Sequence, residues 1–101
     1  MKLRFTAAAR RELLAIGDWI ARDSPRRASA FVEILKDRCR NITDSPEAFP
    51  LVPGYEQDGV RRRTFGNYLI LYRVEAGTVI VLHVAHGARD LGAVLLDPDA
   101  S

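Results

Sequence analysis

Gly59-Val-Arg-Arg-Arg-Thr-Phe-Gly-Asn-Tyr-Leu-Ile-Leu-Tyr-Arg-Val-Glu-Ala-Gly-Thr-Val-Ile-Val-Leu-His-Val-Ala-His-Gly-Ala-Arg-Asp90 is the stretch that decides the fold. It holds three apolar runs, Val60–Phe65, Tyr68–Val74 and Thr78–Ala85, divided by Gly66-Asn67 and by Glu75-Ala76-Gly77. Runs rich in Val, Ile, Leu and Tyr with Gly/Asn punctuation are strands joined by hairpins. The stretch therefore predicts a three-stranded antiparallel meander.

Alternation along a strand assigns faces. Tyr68, Ile70, Tyr72 and Val74 share one face of the second strand, and Leu69, Leu71 and Arg73 the other. In the third strand Ile80, Leu82 and Val84 oppose Val79, Val81 and His83. Both faces are largely apolar, whereas an antiparallel sheet with one wet face alternates apolar and polar residues. One face is expected to lie under the chain's own helices. The other needs a second cover or a partner.

Outward from the meander, Lys2–Phe5 alternates as an edge strand, and Thr6 is placed to cap a helix beginning at Ala7. Ala9, Leu13, Ile16 and Ile20 form one helical stripe, and Ala28, Val32, Leu35, Cys39 and Ile42 another. Ser24-Pro25 starts the second helix as cap and first helical residue, and the short link makes an antiparallel helical hairpin. Thr43-Asp44-Ser45-Pro46 ends it, and the segment from Ala48 to Asp58 reads as an irregular loop. Beyond the meander, Gly87–Asp90 reads as a loop, Leu91–Leu96 as a strand extension or a docking segment, and Asp97–Ser101 as a frayed end. The expectation is one α+β domain over 1–101, ordered β-α-α-β-β-β, with the helical hairpin on one sheet face.

Composition narrows the function classes. With 101 residues, a hydrophobic fraction of 48% and a charged fraction of 28%, the chain suits a single globular domain. A net charge of +2 gives no global pull toward nucleic acid. The single cysteine, Cys39, allows no internal disulfide and suits a reducing cytoplasmic setting. Cys/His metal clusters are excluded by count, and neither metal nor cofactor is expected. No apolar run approaches the roughly 20 residues that span a bilayer, so no membrane role is expected.

This order, with particular residues, resembles the RelE/ParE toxin superfamily of bacterial type II toxin–antitoxin systems, the ParE branch most. The matching residues are Phe5-Thr6, the stripe from Ala9 to Ile20-Ala21, Ser24-Pro25, Ala28, Ile42, Ser45-Pro46 and Gly59-Val60-Arg61. They continue with Tyr68, Ile70-Leu71-Tyr72-Arg73-Val74 and the tail Val81-Leu82-His83-Val84-Ala85-His86-Gly87-Ala88-Arg89-Asp90. The resemblance implies a growth-arrest toxin that inhibits DNA gyrase and is neutralised by a ParD-like antitoxin, without sequence-specific DNA binding of its own. RelE-like relatives share the fold and cut messenger RNA on the ribosome, so that reading stays open, as does an inactive binding module derived from a toxin.

RNA cleavage of that kind needs a positioned acid, a base and cations for the transition state. Arg61, Arg63, Arg73 and Arg89 supply cations, and His83 and His86 can move protons near neutral pH. Ribosome-dependent relatives place a Tyr near the C-terminus, and here the tyrosines are Tyr55, Tyr68 and Tyr72. No catalytic residue is therefore assigned. His83, His86 and Arg89 are kept as candidate target-binding residues. The expected antitoxin surface is the outer sheet face, Leu69, Leu71, Val79 and Val81, rimmed by Arg61, Arg63 and Arg73. Tyr68 and Tyr72 are expected to pack under the helices with hydroxyls at the edge, Trp19 and Phe31 to lie in the core or else on a partner surface, and Cys39 to be an unreactive core residue.

Overall fold

The computed structural model describes residues 1–87 and 94–95. Strand β1 (Lys2–Phe5) leads into helices α1 (Ala7–Ala21) and α2 (Pro25–Ile42). Strands β2 (Arg61–Phe65), β3 (Tyr68–Glu75) and β4 (Thr78–His86) follow. The sheet order is β1-β4-β3-β2, with the predicted meander antiparallel throughout and β1 on the edge, parallel to β4. Readings for Gly87–Asp90 past Gly87, for Leu91–Leu96 other than Val94 and Leu95, and for Asp97–Ser101 lie outside the described residues.

The caps fall where the sequence puts them. The Ala9 N–H donates to Thr6 Oγ1 at 3.1 Å, and the Arg27 N–H donates to Ser24 Oγ at 3.2 Å, with Pro25 opening α2. Each satisfies a backbone donor that the first helical turn leaves orphaned. Thr6 also joins helix to sheet: its N–H donates to Val81 O at 3.0 Å and its hydroxyl to Leu82 O at 2.6 Å. The β3–β4 hairpin turns on Ala76 and Gly77, both at positive φ, as a two-residue primed turn requires.

Strict alternation misplaces half of β4. Leu71 pairs with His83 but the next residue, Tyr72, pairs with Val81, so Leu82 is an inserted residue in a β-bulge. One extra residue reverses the parity of everything before it. Val79 and Val81, expected on the outer face, instead join Ile70, Tyr72 and Val84 beneath Leu13, Ile16, Leu35 and Cys39 of the helices. Ile80 and Leu82, expected inside, lie on the other face with Leu69, Leu71 and Ala85.

That other face has its own cover, which corrects the expectation of an exposed patch. Val52, Val60, Val94 and the partly buried Tyr55 and Leu95 pack over it. The residue 50–60 segment is drawn there by pairing beside β2: the Val52 N–H donates to Val60 O at 2.8 Å and the Arg62 N–H to Pro50 O at 3.0 Å. Leu69, Leu71, Val79 and Val81 are all buried, the last three at 0% exposure. A two-sided core explains a sheet that is apolar on both faces.

Cys39 lies in the helix-side core, where burial pushes its thiol from 9.0 up to about 12, against the opposing pull of Arg63 and Arg40. The folded state thus holds the proton that the unfolded chain releases above about pH 9, and stability falls as pH rises between those values. The expected slope is about 1.4 kcal/mol per pH unit. Urea midpoints taken near pH 9 and about pH 10 should fall more steeply for the wild type than for Cys39→Ala, since Tyr72 titrates alike in both.

Candidate functional site

Among the described residues the helical hairpin exposes Leu14, Trp19 and Ile34, besides Met1 and Val74 elsewhere. A groove of about 620 Å³ runs between α1 and α2 on the side away from the sheet. Leu13, Leu14, Gly17 and Ala21 line it from α1, and Pro25, Ala28 and Val32 from α2. Small residues hollow it out. At Gly17 even a Cβ would sit 3.4 Å from Val32 Cγ2, so the helices approach closely beneath it. Arg10, Asp18, Glu33 and Lys36 form a charged rim of both signs. Leu14 is 70% exposed and Trp19 65%, which decides the placement of Trp19 for the surface over the core. Phe31 is half-buried, packed against the core and against the rings of Phe65 and Tyr68.

Of the arginines expected to rim an antitoxin surface, Arg61 and Arg63 are engaged with the backbone and Arg73 with a carboxylate. Arg61 Nη1 donates to the carbonyls of Phe49 at 2.7 Å and Glu47 at 3.3 Å. Arg63 Nη1 donates to Arg38 O at 2.8 Å, and its guanidinium carbon stands 4.7 Å from the Phe49 ring centroid. Both tie the turn after α2 to the sheet. Arg73 Nη2 lies 3.3 Å from Glu75 Oε2. Tyr72 packs under the helices as expected, and its hydroxyl donates to Pro46 O at 2.6 Å. Burial raises its pKa, with Arg61 and Arg63 pulling the other way.

The candidate target-binding residues separate. His83 is 1% exposed at the bulge, so it presents no surface, a correction to its expected role. Its Nδ1 lies 3.0 Å from Glu12 Oε1, and the Val84 N–H donates to the same oxygen at 3.0 Å. β1 stops opposite Val81, which leaves the β4 edge beyond it unpaired by a strand, and Glu12 of α1 fills in as acceptor. His86 is exposed and meets Tyr68 edge-on at 5.8 Å. Arg89 lies outside the described residues. Glu12→Ala strips an acceptor from a buried N–H and a buried imidazole, and should cost about 2–4 kcal/mol. Thermal or urea unfolding measures it. An unchanged midpoint would show that water replaces the carboxylate.

Among the described residues no group of His, Cys, Asp and Glu is placed to hold a metal ion, and no helix is long and apolar enough to cross a membrane.

The sequence model for the ParE toxin of the type II toxin–antitoxin system parDE matches residues 3–91. The chain belongs to the ParE toxin family. It is a toxin of a type II toxin–antitoxin system. Among solved structures it resembles a chain of the chromosomal ParDE system from P. aeruginosa, with 22% identity and a TM-score of 0.72, over 85% of this toxin and 95% of that chain. It also resembles a chain of the toxin–antitoxin complex RelBE2 from Mycobacterium tuberculosis, with 28% identity and a TM-score of 0.55, over 84% and 95%. No curated protein matches the toxin sequence.

Proposed function

We propose that this toxin arrests growth by binding and inhibiting DNA gyrase, without catalysis of its own, and that a ParD-like antitoxin neutralises it through the groove between α1 and α2. The observation that supports the non-catalytic reading is the engagement of four of the groups that RNA cleavage could draw on. Arg61, Arg63 and the Tyr72 hydroxyl hold backbone carbonyls, and His83 is buried against Glu12. A cleaving site needs an acid and base free to meet the 2′-hydroxyl and leaving oxygen, and these four are fixed elsewhere. Family membership supports an antitoxin partner, and the groove supports a seat for it. An amphipathic helix fits such a cleft, with apolar anchors on Leu14, Ala28 and Val32 and charges meeting the mixed rim.

Purified toxin should inhibit gyrase-driven supercoiling, leave transcripts whole in a cell-free translation reaction, and lose its effect when the antitoxin is added. Ribosome-dependent transcript cuts with supercoiling untouched would overturn the reading.

A further inference from the structure

We infer that the tip of the helical hairpin, Trp19 to Arg27, is the surface with which the toxin grips its target, and that the surface it meets there is an acidic face of a protein. The inference rests on the proposed binding mode of action and adds where the binding takes place.

The aromatic and cationic side chains of the tip face solvent. Phe31 touches Phe65, the last residue of β2, and Tyr68, the first of β3. The six residues of α2 before Phe31 span roughly 9 Å of helix N-terminal to that contact. Trp19 and Arg22 occupy the last turn of α1 and its cap, and Arg26 and Arg27 the first turn of α2. All four are exposed. The Arg22 guanidinium carbon sits 5.2 Å from the Trp19 ring centroid, so the aromatic face is fronted by a cation in a fixed stack.

The charge arrangement works against the fold. Arg26 and Arg27 place two cations at the positive end of the α2 dipole, and no acidic residue stands in that turn. Among the described residues neither forms an ion pair, and Asp23 is the one carboxylate between Trp19 and Arg27. A sequence shaped for stability alone would put Asp or Glu here. Local rules broken without a compensating contact mark positions kept for function. Exposed Trp beside Arg is the composition of interface hot spots. Three cations next to Asp18 and Asp23 make a small footprint, well short of the several phosphate contacts that hold a DNA duplex, so a protein carboxylate cluster fits better than nucleic acid. Trp19, Arg22, Arg26 and Arg27 do not line the groove, so the two surfaces can be tested apart.

The test compares wild type with Arg26→Glu/Arg27→Glu and, separately, with Trp19→Ala. Four readouts are taken: thermal midpoint, antitoxin binding, growth arrest on induction, and inhibition of gyrase supercoiling. The double variant should melt at or above the wild-type temperature, because its new carboxylates suit the dipole. It should bind antitoxin normally and lose toxicity by about tenfold or more. Trp19→Ala should lose toxicity in the same way, with folding unchanged. A variant stabilised yet inactive is an outcome that a merely structural tip cannot give. Full growth arrest by both variants would overturn the inference. So would a gel shift of a short DNA duplex by the wild type that the double variant loses, which reassigns the tip to nucleic acid. Growth arrest that depends on the tip while supercoiling is unaffected would sink the gyrase reading and leave the tip standing.

Discussion

Leu71→Asp is expected to unfold the toxin. Leu71 is fully buried on β3, packed in the second cluster with Val52, Val60, Leu69 and Leu82. Truncating a buried Leu to Ala alone costs about 2–5 kcal/mol. Asp adds the desolvation of a carboxylate that the described residues give no partner, several kcal/mol more. Together these approach the roughly 5–15 kcal/mol that stabilises a whole domain. Val81→Asp should fail for the same reason from the helix-side core. Circular dichroism and size exclusion at low temperature measure the outcome. A folded Leu71→Asp protein with near-wild-type urea midpoint would mean that the residue 50–60 segment does not pack on this face.

Leu14→Asp is expected to do the opposite: leave the fold alone and remove the antitoxin. With its side chain largely in water, Leu14 contributes little to the core, so the thermal midpoint should move by no more than a few degrees. In the complex proposed here the same side chain is an apolar anchor beneath the antitoxin helix. An Asp in that position buries a charge in the groove wall, and affinity should fall by about 100-fold, as loss of a hot spot does. Titration calorimetry against the antitoxin reads the affinity, and co-expression reads the consequence, with toxicity escaping neutralisation. Unchanged affinity would place the antitoxin elsewhere on the toxin.

The contrast between these two residues shows what the sequence made legible. Element order, both caps, the hairpin turns and the edge position of β1 could be read from Thr6, Ser24-Pro25, Gly66-Asn67 and Gly77, because each rests on local backbone chemistry. The faces of β3 could also be read, since its alternation is unbroken from Tyr68 to Val74. The faces of β4 could not, because a bulge is an agreement between two strands and leaves no residue signature in Val81-Leu82-His83-Val84. Of the second cover, the packing of Val94 and Leu95 agrees with the docking reading of Leu91–Leu96, whereas the residue 50–60 segment is not legible because Val52 and Tyr55 stand among prolines, glycines and acids and carry no period. Trp19 leaves both a core and a partner-surface reading open in the sequence, and it sits off the Leu13–Ile16–Ile20 stripe. That offset was the available signal for a surface role.

The sheet order carries a consequence for how the molecule comes into being. β4 is the last strand in sequence, yet it lies between β1 and β3, and the Thr6 hydroxyl reaches Leu82 across 76 residues. Both neighbouring strands therefore wait for a strand that follows them in the chain. Closing so long a loop delays the productive nucleus. Until Thr78–His86 has left the ribosome, β1 has no neighbour and β3 is unpaired along one edge. The emerging chain is therefore sticky and unfinished through most of its synthesis.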